Sequence, residues 1–123
     1  MAALGIAVWI VSGLLAAMYL MAGMMKAKDP VKAQEMGPTM EAQAPGKLRI
    51  IGILELLGAV AVILPAALGV LPMLSGVAAA GLFLVQAFAI PAHIQHKDTK
   101  SLPMNVALLL MAGFVALARF GLY

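Results

Sequence analysis

The chain contains no cysteine. Disulfide bonds, thiol nucleophiles and thiolate-held metals are therefore excluded from its chemistry. Charge is almost as scarce. Lys, Arg, Asp and Glu make up 11% of the 123 residues, where a soluble domain carries about 25%. With 64% of residues hydrophobic, so few charges cannot coat a folded chain. The composition is that of an integral membrane protein. A net charge of +3 is too small, and too confined, for nucleic-acid binding. Alternating apolar and polar runs are also missing. A sheet is disfavoured in any case, because an open sheet in lipid leaves its edges unsatisfied. There is no nucleophile elbow, no phosphate-binding glycine loop and no set of mid-span histidines to hold a haem.

The charges that are present fall in blocks. Met1 to Met25 has none, and Lys26 to Arg49 holds Lys26, Lys28, Asp29, Lys32, Glu35, Glu41, Lys47 and Arg49. From Ile50 to His96 the one acidic residue is Glu55; Lys97, Asp98 and Lys100 then mark a short polar loop. A spanning helix needs about 20 apolar residues. The segments Ala2–Met25, Leu48–Leu68, Pro72–Ala92 and Leu102–Leu122 meet or approach that length. Pro65 either ends or kinks the second. Arg119 lies near the end of the fourth, where its side chain can snorkel to the interface. The first segment lacks a positive start and exceeds a signal-peptide core of about 7–15 residues, so it reads as a retained helix. The fold class expected is all-α, a four-helix membrane bundle in one transmembrane domain.

Four crossings put the connector 26–47 and the loop His93–Ser101 on one side. Both termini and the short loop Pro65–Pro72 fall on the other. Of the 8 Lys and Arg, only Arg119 lies on the terminal side. The bias of positive charge toward the cytoplasm then places the polar loops inside and both termini outside. The connector, rich in proline and glycine, is expected to hold a short turn around Val31–Met36. Trp9 and Tyr123 are candidate interface anchors on the terminal side.

Small residues recur at three- and four-residue spacing, which lets helix backbones approach. Gly13 pairs with Ala17 and Ser12 with Ala16 on the first span. Gly52, Glu55 and Ala59 share a face of the second, and Gly76, Ala80 and Gly81 lie on the third. Glu55 therefore turns inward, which also avoids a mid-span insertion cost of about 2.5–3.5 kcal/mol. At a rise of about 1.5 Å per residue, Tyr19, Glu55 and Gln86 all fall at a similar depth, each seven residues from its polar boundary. They form a candidate intramembrane cluster. Lys26, Arg49, His93 and Asn105 form its candidate mouth. Each residue also has a plainer reading: Tyr19 as packing, Gln86 as interhelical glue, Glu55 as a structural pin. The sequence leaves open whether Glu55 is protonated or held ionised by Lys26 or Arg49.

His93 and His96, with Asp98 nearby, fall short of the three or four supported ligands of a zinc site. No metal is expected. The 10 methionines are scattered as gap-fillers or lipid-facing residues.

The ordered features resemble the DoxX-like family of small four-helix membrane proteins. The resemblance rests on AGMMK (Gly23, Lys26) and LRIIGILELLGAVAVILP (Arg49, Gly52, Glu55, Gly58, Pro65). FAIPAHIQHKD (His93), LPMN (Pro103, Asn105) and ARFG (Arg119) follow in order. It covers almost the whole chain. It implies the fold, and it implies kinship with subunits of thiosulfate:quinone oxidoreduction and with helpers of membrane-protein assembly. The function expected is an accessory or assembly subunit of a larger membrane complex, without catalysis or cofactor of its own. Its partners are the lipid bilayer of a plasma or bacterial-type inner membrane, and other membrane subunits or further copies of itself. The alternative is a quinone-linked subunit of an oxidoreductase. A proton-coupled exporter ranks third, because the single membrane glutamate lies in the second helix rather than the first, and the first connector is long.

Overall fold

The computed structural model of the protein describes residues 2–69, 71 and 73–121, with side chains from residue 5 onward. In chain order it contains α1 (Ala2–Lys28), α2 (Pro30–Ala33), α3 (Pro38–Glu41), α4 (Pro45–Leu68), α5 (Met73–Gln95) and α6 (Leu102–Arg119). Single 3-10 turns at Gln34–Met36 and Thr99–Ser101 complete it, and no strand occurs among the described residues. The helices α1, α4, α5 and α6 are each long and apolar enough to cross a membrane.

Three of these helices run further on the polar-loop side than composition suggests. α1 continues past Met25 to Lys28, α4 begins at Pro45 rather than Leu48, and α5 continues past Ala92 to Gln95. Lys26 and Lys28 in the last turn of α1 favour its negative dipole end. Pro45 stands at the start of α4, where its fixed φ suits a first turn. Neither Pro65 nor Pro91 stops its helix. Beyond Pro65, the Ala66 amide donates to Ser75 Oγ on α5 (3.1 Å). Gly69, left-handed at φ 69°, then caps α4 and opens the tight turn into α5. At the other end α6 stops at Arg119 instead of Leu122.

Buried positions repeat every three or four residues on each span. They are Val8, Ser12, Leu15 and Tyr19 on α1, and Leu48, Gly52, Glu55, Ala59 and Val62 on α4. On α5 they are Ser75, Ala79, Leu82 and Gln86, and on α6 Asn105, Leu108, Ala112 and Val115. A mean repeat of about 3.5 keeps one seam of each helix on the bundle axis. The remaining faces carry exposed Leu, Ile, Val, Met and Phe. In water that surface would aggregate; in a bilayer it is the solvated face. The seam also explains a correction. Gly13, Ala17 and Gly81 turn outward, and a Cβ on Gly13 or Gly81 would meet nothing within 4 Å. They sit one or two positions off the seam that Ser12, Ala16 and Leu82 occupy.

α1 packs most extensively on α4 and α5 on α6, while α4–α5 and α1–α6 contacts close the ring. At the α1–α4 crossing the backbones touch. A Cβ on Gly23 would lie 2.7 Å from the Gly52 carbonyl oxygen, and one on Gly52 would lie 2.7 Å from the Ala27 nitrogen.

The connector is folded rather than a loop. The Asp29 side chain caps α2 by accepting from the Lys32 amide (3.1 Å). Gln34 Nε2 donates to the Gln43 carbonyl (2.8 Å), and Gln43 Nε2 to the Thr39 carbonyl (3.2 Å). The turn expected at Val31–Met36 is α2 with its 3-10 extension, and α3 follows it.

Candidate functional site: a cavity beneath the connector

The contact of Gly23 with Gly52 sets the Lys26 Cβ against Gly52 on the antiparallel helix, from where the lysine side chain reaches one turn deeper to Glu55. Lys26 is three residues beyond Gly23, and Glu55 three beyond Gly52. The result is an ion pair with Lys26 Nζ 2.8 Å from Glu55 Oε1. Glu55 is 3% exposed and Lys26 12%. Glu55 thus faces inward and is held by Lys26. Arg49, the other cation within sequence reach, instead donates from Nε to the Ala27 carbonyl (3.2 Å) on the exposed side.

Tyr19 and Gln86 meet across the bundle. Gln86 Nε2 donates to the Tyr19 hydroxyl (2.7 Å), which donates in turn to the Leu82 carbonyl (3.2 Å). Glu55 makes no hydrogen bond to either. The cluster of three is therefore two separate pairs, Tyr19–Gln86 and Lys26–Glu55, with Tyr19 and Lys26 both on α1.

Gln86 of the first pair and both members of the second line a cavity of about 550 Å³. Its inner end carries Lys26, Glu55, Gln86 and Asn105. Leu48, Ile51 and Leu54 of α4 and Val85, Phe88 and Ala89 of α5 supply an apolar wall. Thr39, Met40 and Gln43 of the connector roof it, with Lys47 and His96 at the rim. Phe88 is 77% exposed on the outer surface, so the apolar wall is continuous with the lipid-facing side. Of the four residues expected at a mouth, Lys26 and Asn105 line this cavity, and Arg49 and His93 do not.

His93 holds the roof instead. Its Nδ1 lies 2.9 Å from Thr39 Oγ1 and 3.0 Å from Asp98 Oδ2. The tautomer that serves both contacts carries the proton on Nδ1 and shares it between the two oxygens. Ser101 Oγ adds a bond to Asp98 Oδ1 (3.3 Å). Burial pushes the Asp98 carboxyl upward. The bonds from His93, Thr39 and Ser101 outweigh it and hold Asp98 below its ordinary value. Gly37 packs against this carboxylate, where a Cβ would lie 2.8 Å from Oδ2. With His93 so engaged and His96 at the rim, no group of three metal-ligating side chains converges among the described residues.

Two residues that line the cavity each bury a polar atom without a partner. Gln86 Oε1 and Asn105 Nδ2 are buried without a hydrogen bond. An orphaned buried polar atom costs about 1–3 kcal/mol. Asn105 uses Nδ2 for nothing within the chain, although it sits on the inward seam of α6.

The roof and the rim are the parts that sequence reasoning missed: Thr39, Gln43, Lys47 and His96. A signal existed on α5. Val85, Ala89, Ala92 and His96 follow the same four-three-four spacing as a buried stripe, and the alanines within it leave the space the cavity occupies.

At the opposite end, the Arg119 guanidinium stands 4.6 Å from the Trp9 ring centre. This cation–π contact ties α6 to α1. Tyr123, the other expected anchor, lies outside the described residues.

Among known proteins, the family model described as the DoxX-like family matches residues 10–115. No curated protein and no solved structure matches the chain.

Proposed function

The chain belongs to the DoxX-like family, and on that premise we propose that it is an accessory subunit of a larger membrane assembly. Its own task is to hold a membrane-soluble small molecule beneath the connector, and catalysis belongs to a partner. The observation that carries this reading is the cavity itself, which joins an apolar wall to the polar residues Lys26, Glu55, Gln86 and Asn105, the last two each with a buried polar atom lacking a partner. The positive-charge bias supports an orientation with the cavity on the cytoplasmic side of a plasma or inner membrane and both termini outside.

The quinone-linked form of this reading has one specific support. The cavity joins a lipid-continuous apolar wall to polar groups at its inner end, the combination that suits a prenylated quinol, whose hydroxyls both donate and accept. The exporter reading loses weight. Its acid must exchange protons with substrate, and Glu55 is already paired with Lys26 at 2.8 Å.

The test is purification of the native assembly in mild detergent, with proteins and small molecules identified by mass spectrometry. The reading expects co-purifying membrane subunits and a bound amphiphile. Migration as a bare monomer with nothing bound overturns it. If Glu55→Gln leaves quinone reduction by the whole assembly unchanged, the quinone-linked form falls and the holding role remains.

A further inference from the structure

The hydrogen-bond inventory of the cavity specifies what would complete it. Gln86 is 4% exposed, and its Nε2 is spent on Tyr19; its Oε1 is an acceptor with nothing to accept from. Asn105 is 8% exposed, and its Nδ2 is a donor with nothing to donate to. Both residues line the same cavity. The missing partner must therefore bring one donor and one acceptor. Charge narrows the class further. Lys26 and Glu55 neutralise each other at 2.8 Å, so the inner end offers no unspent cation for an anion and no unspent anion for a cation. Lys47, also in the cavity lining, is exposed at the rim, in reach of water rather than of the buried amides. The rest of the wall is aliphatic and aromatic and continues onto the lipid face.

We propose that the cavity binds an uncharged amphiphile whose head group presents a hydrogen-bond donor beside an acceptor, the head lying between Gln86 and Asn105 and the tail along Ile51, Leu54, Val85 and Phe88. Primary fatty amides and monoacylglycerols have this chemistry. Ionised fatty acids and alkyl sulfates do not, because such an anion offers acceptors alone and would leave Gln86 Oε1 unsatisfied. The inference rests on the reading that the cavity holds a membrane-soluble molecule, and adds the head-group chemistry.

The experiment uses the full chain in phosphatidylcholine nanodiscs. Three photoreactive probes with the same diazirine-bearing chain are compared: a primary amide, a carboxylate kept ionised, and an alkyl sulfate. Labelled residues are mapped by mass spectrometry. Asn105→Leu is the decisive variant, since it removes the orphan donor at similar volume and breaks no hydrogen bond within the chain. Gln86→Leu is the second, with Tyr19→Phe as its control for loss of the Tyr19 contact. The amide is expected to label α4 and α5 along the cavity wall in preference to both anions. Asn105→Leu is expected to weaken that labelling about tenfold, the worth of one neutral hydrogen bond in affinity. Its thermal midpoint is expected to stay level or rise, which a merely structural asparagine would not allow. Equal or better labelling by either anion overturns the head-group inference while the holding role stands, and so does amide labelling insensitive to Asn105→Leu. If no probe labels the cavity, a solvent-filled cleft is the result, and the holding role falls with the inference.

Discussion

Glu55 interrupts the run IIGILELLGAV, and its environment is set by two glycines a turn away. Because Gly23 and Gly52 let the backbones touch, the Lys26 ammonium reaches the carboxylate at 2.8 Å. Breaking a buried pair by removing one partner costs about 3–5 kcal/mol, while replacing both with apolar groups is often neutral. Lys26→Met and Glu55→Leu should each lower stability by that order, as read by unfolding in detergent. The double variant should recover most of the loss; additive losses would show that the two residues act separately. The inward direction of Glu55 was legible, since Gly52 and Ala59 mark the same face. Its partner was not. Lys26 and Arg49 stand at comparable sequence distance, and only the close α1–α4 crossing selects Lys26. Tyr19 and Gln86 were legible as neighbours from depth alone, but depth could not tell that Glu55 would pair elsewhere.

Among the elements, the connector carries the largest departure from expectation. Read as a loop, it is three short turns pinned to the bundle by Thr39, His93 and Asp98, and it roofs the cavity. Proline and glycine content obscured this. Pro30 and Pro38 start helices rather than prevent them, and Gly37 provides room against Asp98. The lowered carboxyl of Asp98 sets the sign of a pH effect. Its stabilisation is fully present above its unfolded value of about 3.9 and is lost as pH falls through the lower folded value. Thermal unfolding followed between about pH 6 and pH 2.5 should show a stability loss near the acid end. Asp98→Asn should remove that component and increase cleavage of the connector by added protease at neutral pH. An unchanged acid profile in the variant would contradict the latch. At the α1–α4 contact, Gly52→Ala forces a Cβ to 2.7 Å from backbone atoms that cannot swing aside. A loss of about 1–3 kcal/mol is expected, together with loss of the Lys26–Glu55 pair. Gly13→Ala, on the open face, should be neutral in the same assay.

At the scale of the whole molecule, the four spans and their class could be read from hydropathy, because charge is confined to so few positions. The seam could not be read in full. On α1, small residues occur both on the axis and off it, so composition alone did not separate Ser12 and Ala16 from Gly13 and Ala17. The cavity was less legible still, since it is made by what Ala89 and Ala92 leave empty. Orientation is testable directly. The chain has no cysteine, so single cysteines at the exposed Ala42 and Ala67 report opposite faces. Ala42 should react with an impermeant thiol reagent only from the cytoplasmic side, and Ala67 only from outside; the reverse pattern would invert the assignment. The central claim is that the cavity beneath the connector is occupied in the membrane. Native mass spectrometry of the chain released gently from its own membrane tests this most directly, beside Ala89→Phe, which fills the space. One small amphiphile bound per chain, absent in the folded Ala89→Phe variant, is the result expected; a wild-type chain that carries nothing, or a bound molecule that survives Ala89→Phe, would contradict it.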